Sequence, residues 1–233
     1  MASPMYTSAL IVGAGQGLRA SLTRQLRKEG LAVAIAARDT AKLAPLCAET
    51  GARAYRCDAQ DESEVQRLFV DIDREQGAPD VVVYNASARS RGPFVQLVPA
   101  EVQHALQVTA FGAFLVAQQA ALRMLPKGHG AILFTGASAS VKGYAQSAPF
   151  AMGKFALRGL SQSLARELSP QGIHIAHFVI DGGIAGAGRR NDPDKSDALL
   201  DPDAIALSYL SILRQPRSAW TSEIELRPWV ERF

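Results

Sequence analysis

Gly13-Ala-Gly15-Gln-Gly17 stands between a short apolar run and a segment of helical period. Glycines at such a turn let the backbone approach a pyrophosphate closely, and the start of the following helix offers unpaired N–H groups and a partial positive charge. The chemistry expected is dinucleotide binding, with Gly13, Gly15, Gln16, Gly17 and Leu18 in contact with the ligand. The usual Rossmann spacing would place a third glycine where Leu18 stands. The next apolar run ends Ala36-Ala37-Arg38, where an NAD site would carry an acid for the ribose 2′-hydroxyl. With no carboxylate at that strand end and Arg38 beside it, a 2′-phosphate meets a cation, so NADP(H) is expected over NAD(H). His104, His129, His174 and His177 lack ligand-type spacing with acids or cysteines, so no metal is expected.

The elements that must hold this turn follow from the period of the apolar residues. Short apolar runs at Ser8–Val12, Leu31–Ala37, Ala52–Cys57, Asp80–Tyr84, Ala131–Thr135, His174–Ile180 and Glu223–Leu226 read as strands. Segments of helical period lie at Leu18–Glu29, Ala41–Glu49, Glu62–Glu75, Pro99–Met124, Ser147–Leu168 and Pro202–Arg214. Asp61 with Glu64 predicts a capping box, and Asp201 before Pro202 predicts a cap ahead of a proline in the first turn. The alternation predicts a single-domain α/β chain over residues 1–233: a Rossmann-type, doubly wound parallel sheet of about seven strands with helices on both faces.

A chain of 233 residues, 48% hydrophobic and 20% charged, has enough apolar residues for one core and is far from a disordered composition. The net charge of +3 is spread without a basic run beyond Arg189-Arg190, which argues against a nucleic-acid or membrane surface. No leader is expected ahead of the first strand, nor an apolar run of the ~18 residues a membrane helix requires. Cys47 and Cys57 are the only cysteines, which points to a reducing cytoplasm rather than a disulfide framework. Gly182–Leu200, polar and following the sixth strand, is expected to be mobile: either a lid over a ligand or a plain surface loop.

Further motifs stand in order over nearly the whole chain: Arg56-Cys57-Asp58, Tyr84-Asn85-Ala86-Ser87, Phe150-Ala-Met-Gly-Lys154-Phe-Ala-Leu-Arg-Gly-Leu and Ser163-Leu-Ala-Arg-Glu-Leu. Together with the glycine turn they resemble the short-chain dehydrogenase/reductase family. The resemblance implies that Asp58 hydrogen-bonds adenine, that Asn85 lies in the family's Asn-Asn-Ala-Gly turn, and that Lys154 holds the nicotinamide ribose. In the family a tyrosine exchanges the proton, and here Phe150 occupies that position. Ala137 falls at the family's serine, with Ser138 one step away, and Thr109 falls at its asparagine. Asp181-Gly182 replaces a proline-glycine turn that contacts nicotinamide, leaving Gly182. Arg19 stands at the family's third glycine, where it either pairs with a cofactor phosphate, the favoured expectation, or crowds the turn.

A benzyl group donates no proton, and loss of a general acid typically slows a reaction by ~10²–10⁴. Hydride transfer survives such a loss if the cofactor stays positioned. Substitute donors are Ser138, Ser140, Tyr144 or a water ordered by Lys154. The resemblance therefore implies an NADP(H)-dependent oxidoreductase acting on a small-molecule carbonyl or alcohol, with a non-standard proton donor. The alternative is a catalytically impaired dinucleotide-binding sensor or structural subunit; a halohydrin-dehalogenase-type lyase fits less well, because those keep serine and tyrosine. The resemblance also implies a homodimer or homotetramer, paired through the Pro99–Met124 and Ser147–Leu168 helices. Arg227-Pro-Trp229 in the closing segment either covers a subunit seam or packs locally.

Overall fold

Each strand residue points to the opposite face from its neighbour, and where both faces are covered by helices every position becomes apolar. The computed structural model, which describes residues 6–186 and 197–230, shows this pattern. Its strands are β1 (Ser8–Val12), β2 (Ala32–Ala37), β3 (Arg53–Arg56), β4 (Val81–Tyr84), β5 (Gly130–Thr135), β6 (Ile173–Ile180) and β7 (Glu223–Leu226). They form one parallel sheet in the order β3-β2-β1-β4-β5-β6-β7. All eight residues of β6 are buried, whereas β3, an edge, carries Arg53 and Arg56, the kind of charge that discourages further pairing.

The helices are α1 (Leu18–Lys28), α2 (Ala44–Thr50), α3 (Glu62–Gln76), α4 (Pro99–Leu106), α5 (Gly112–Met124), α6 (Ala148–Leu168) and α7 (Pro202–Leu213). Ala9 and Ile11 of β1 join the core under α1, α2 and α7, and Leu10 and Val12 join the core under α3, α5 and α6. The result is the Rossmann-like, single-domain architecture that the alternation predicts.

Three local features depart from the sequence expectation. The Pro99–Met124 helix is interrupted by a π turn over Gln107–Phe111, inside which the carbonyl of Val108 accepts the buried Tyr84 hydroxyl. Asp61 caps α3 through the Glu64 N–H at 2.9 Å, but Glu64 does not reciprocate: its carboxylate accepts from the Asp58 N–H at 2.8 Å and pairs with Arg56. Asp201 caps α7 through Asp203, with Pro202 in the first turn as expected. The third departure concerns hydropathy. Pro99–Lys127 is long and apolar enough, by length and composition alone, to cross a membrane, contrary to the expectation that no such run exists. In this fold Ala113, Val116, Ala117 and Ala120 of that segment lie buried in the core beneath the sheet, which accounts for their apolar character.

Candidate functional site

Reversal of strand order beside β1 leaves a crevice beyond the carboxyl ends of β1 and β4, the place where open α/β sheets bind ligands. Gly13 closes β1 with φ +85°, and a Cβ there would lie 2.6 Å from the Ala86 nitrogen, so the turn packs directly on the segment after β4. Gly17, with φ +70°, is the N-cap of α1, which has no side-chain cap and no acid in its first turn. The helix start is therefore open to an anion. Arg19 folds back over the turn and donates to the Gly13 carbonyl at 2.8 Å, its Nη1 3.2 Å from where a Gly15 Cβ would be.

Two cavities meet at this arginine. One, of about 540 Å³, is lined by Gly13, Gly15, Arg38, Lys42 and Asp58, among others. Asp58 is oriented by Gln60, whose backbone N–H and side-chain amide donate to its carboxylate at 3.3 and 3.1 Å. The second, of about 410 Å³, is lined by Gly17, Leu18, Asn85, Phe150, Lys154 and Gly182, with Arg89, Thr135 and Ala137. Gln16, Arg19 and Ser87 line both. Cofactor-contact residues named from the sequence are thus brought together along one groove. Cations from four elements or loops face it, and the described lining of the smaller cavity contains no Asp or Glu. That donor set fits a phosphorylated, anionic ligand.

At the floor of the smaller cavity Lys154 is 3% exposed, and its ammonium donates to the Thr135 carbonyl at 2.6 Å. Burial, and then the charges of Arg89 and Arg19, push its pKa down to about 7. Phe150, one helical turn earlier on α6, is 7% exposed and carries the Arg89 guanidinium over its face, 4.0 Å from the ring centroid. His177, buried deeper with its ring 3.3 Å from Glu223, is held neutral near pH 7: burial chiefly, opposed by Glu223, pushes its pKa down to about 4.

The other residues singled out as proton carriers stand elsewhere. Neither Ser138 nor Tyr144 lines the smaller cavity; Tyr144 is 46% exposed, with the Lys142 ammonium 5.8 Å from its ring centroid. Ser140 is buried, its hydroxyl accepting the Ala137 N–H at 3.2 Å. Thr109, buried in the π turn, accepts the Ala88 N–H and so ties the chain after β4 to the helix. Asp181 does not line the cavity; its carboxylate lies 3.3 Å from Lys142 and 3.0 Å from Arg227. Part of the expected 182–200 loop, residues 187–196, lies outside the described residues. Arg89 and Thr135 were not anticipated from the sequence: one is an arginine in an irregular loop, the other contributes only its carbonyl.

The sequence matches the short chain dehydrogenase family over residues 7–193. The chain belongs to that family. Among solved structures it is similar to a short-chain dehydrogenase from Rhodopseudomonas palustris, 33% identical, covering 97% of this chain and 100% of that one with a TM-score of 0.83. Actinorhodin polyketide ketoreductase, solved with NADPH, shares the fold at a TM-score of 0.87 and 22% identity, over 98% of each chain. Of curated relatives, the 3-oxoacyl-[acyl-carrier-protein] reductase MabA of Mycobacterium avium is 29% identical over 76% of this chain and 67% of its own length. An uncharacterised oxidoreductase of Staphylococcus aureus (strain N315) is 26% identical over 94% of this chain and 96% of its own. In this chain α6 carries Lys154 and, one helical turn earlier, Phe150, whose ring carries the Arg89 guanidinium on its face.

Proposed function

We propose that this short-chain dehydrogenase binds NADP(H) along the groove formed by the two cavities and transfers a hydride to or from a small carbonyl or alcohol substrate. Gly13, Gly15 and the start of α1 would hold the pyrophosphate with Arg19, Arg38 would face the 2′-phosphate, Asp58 the adenine, and Asn85 and Gly182 the nicotinamide end. When bound, the reduced cofactor supplies the hydride. Lys154 handles the proton, directly or through one water: its ammonium Nζ gives a proton to the oxygen of the carbonyl being reduced, and the neutral amine takes one from an alcohol being oxidised.

The observation that carries this reading is the ammonium of Lys154, buried at the cavity floor with a pKa near the working range of a general acid. Ser138 and Tyr144 do not line the cavity, and Phe150 has no proton to give. Exposed Phe111, Phe114, Met152 and Phe155 on the π turn, α5 and α6 support pairing of copies into a homodimer or homotetramer through that face.

Titration of the protein into NADPH, followed by nucleotide fluorescence, tests the cofactor half, and a panel of aldehydes, ketones and quinones tests turnover. Binding with slow reduction is expected, rising ~10²-fold or more in Phe150→Tyr if the phenol regains its role. If none of NADPH, NADP⁺, NADH and NAD⁺ changes fluorescence or melting temperature, the proposal fails. If the parent protein binds NADPH and is silent while Phe150→Tyr reduces substrate, the protein is a binding protein rather than an enzyme.

A further inference from the structure

We propose that the protein has a second small-molecule site, remote from the nucleotide groove, which takes a phosphate monoester carrying hydroxyl groups, of the kind a phosphorylated sugar presents. Arg166 and Arg217 hold the phosphate, and His174 meets a hydroxyl of the ligand. Nothing in this site depends on hydride transfer.

A cavity of about 790 Å³ lies between the end of α6 (Arg166, Ser169), the start of β6 (His174) and the segment leading into β7 (Arg217, Ser218, Trp220). In a parallel sheet the amino ends of β6 and β7 face away from the carboxyl ends that border the nucleotide groove. The volume falls within the range of roughly 300–1,000 Å³ found for small-molecule sites.

The charge of its lining favours an anion. Arg166 donates to the Gln162 carbonyl at 2.9 Å and Arg217 to the Gly128 carbonyl at 3.0 Å, and among the described residues neither pairs with a carboxylate. A guanidinium carries several N–H donors, so one carbonyl leaves others for phosphate oxygens, which that planar fork suits. Both arginines are exposed, so a ligand reaches them from solvent. The one described acid in the lining, Glu223, is already held by two nitrogens of Arg158, each at 2.7 Å. The end of α6 adds a partial negative charge of about half an elementary unit, which two full cationic charges outweigh.

The back of the cavity points to a hydroxyl. Gln215 fixes the segment before β7: its side-chain carbonyl accepts the Thr221 N–H at 2.8 Å, and its backbone carbonyl accepts the Trp220 indole N–H at 3.3 Å. Trp220 stacks on His174, with ring centroids 4.6 Å apart and planes 4° from parallel. His174 is 1% exposed, and its Nε2 lies 3.0 Å from the Thr221 carbonyl. A carbonyl only accepts, so Nε2 carries the hydrogen, and in the neutral ring that burial favours Nδ1 is a bare acceptor. Nδ1 is buried and has no donor among the described residues. Such an atom is costly to leave unpaired, and a ligand hydroxyl supplies the missing bond. Ser169, Ser218 and Ser222 add hydroxyls along the same lining.

The test uses the full chain carrying Trp229→Phe, which removes the exposed second tryptophan so that emission reports Trp220 alone. Glucose 6-phosphate should shift that emission and raise the melting temperature, inorganic phosphate should do so only at roughly 10-fold or higher concentration, and glucose should do neither. Arg166→Gln and Arg217→Gln should each weaken the ester by roughly 10- to 100-fold, the range for a hydrogen bond to a charged group, and Arg19→Gly should leave its affinity unchanged. His174→Leu should reduce the advantage of the ester over inorganic phosphate; if that buried substitution does not fold, the exposed arginine variants decide. No response to phosphate or ester, an equal response to the two, or an affinity unchanged when both arginines are replaced overturns the proposal. A loss confined to Arg19→Gly overturns it as well, by placing the ester in the nucleotide groove. Emission that changes with protein concentration and not with ester would show that a second copy covers the cavity instead.

Discussion

Lys154→Met isolates the consequence of burying an ammonium at the floor of the site. Burial and neighbouring cations lower the folded-state pKa to about 7, against roughly 10.4 in an unfolded chain. Because the folded pKa is depressed and the charged form is the protonated one, the unfolded chain holds the extra proton between these two values. Stability therefore rises with pH across that window, and the penalty is fully present below about pH 7. At 1.36 kcal/mol per pH unit, and allowing for half-titration at the lower edge, the native state gains about 2 kcal/mol between pH 7 and 9. The full penalty below the window is on the order of 4–5 kcal/mol. Methionine has no such dependence, although it leaves the Thr135 carbonyl without its donor, an offset of roughly 1–3 kcal/mol that does not change with pH. The quantity to measure is the difference in unfolding free energy between wild type and Lys154→Met, by urea denaturation at several pH values, so that other titrating groups cancel. In thermal melts the change corresponds to roughly 2–4 °C per kcal/mol for a chain of this size. A difference that stays flat from pH 7 to 9 would show that the amine is not desolvated, and the assignment of Lys154 as proton carrier would go with it. A bound anionic cofactor should raise the lysine's pKa again, so NADPH binding near pH 8 should take up protons, visible as a buffer-dependent heat.

Arg38→Glu should weaken NADPH by roughly 10- to 100-fold and NADH far less, since it replaces the proposed partner of the 2′-phosphate with a like charge; equal losses for both nucleotides would show that Arg38 does not read that phosphate. Arg19→Gly removes a guanidinium from the junction of the cavities and should weaken NADPH by a similar factor. Tighter binding in that variant would mean that the side chain crowds the turn. Asp61→Ala loses the cap of α3 and should cost about 1 kcal/mol, read by urea denaturation; an unchanged midpoint would mean that water replaces the cap without loss.

Residues that act within their own element were legible in the sequence. Strand and helix periods, the uncapped glycine turn before α1, the Asp61 and Asp201 caps and the parallel order of βα units all follow from neighbours a few positions apart. That the residue one helical turn before Lys154 is Phe150, a side chain with no proton to give, was equally plain in the sequence. The reciprocal cap predicted for Glu64 failed because Asp58 and Arg56, close in the sheet's edge, compete for the same carboxylate. Likewise the helix from Pro99 is interrupted by a turn whose Val108 carbonyl meets a strand tyrosine, Tyr84, that no helical pattern includes.

The functional character of the site was decided by contacts between distant segments. Arg89 leaves β4 and Phe150 begins α6, and only the packing of helix beside sheet lays the guanidinium on the ring. Lys154 acquires its lowered pKa from its burial, with Arg89 arriving from the loop after β4, Arg19 from the first turn of α1, and Thr135 offering one carbonyl from β5. Local sequence sets backbone propensity and which face of an element is apolar. Solvent exclusion and charge proximity depend on where whole elements meet, and these lower the pKa of Lys154 and lay Arg89 on the ring of Phe150.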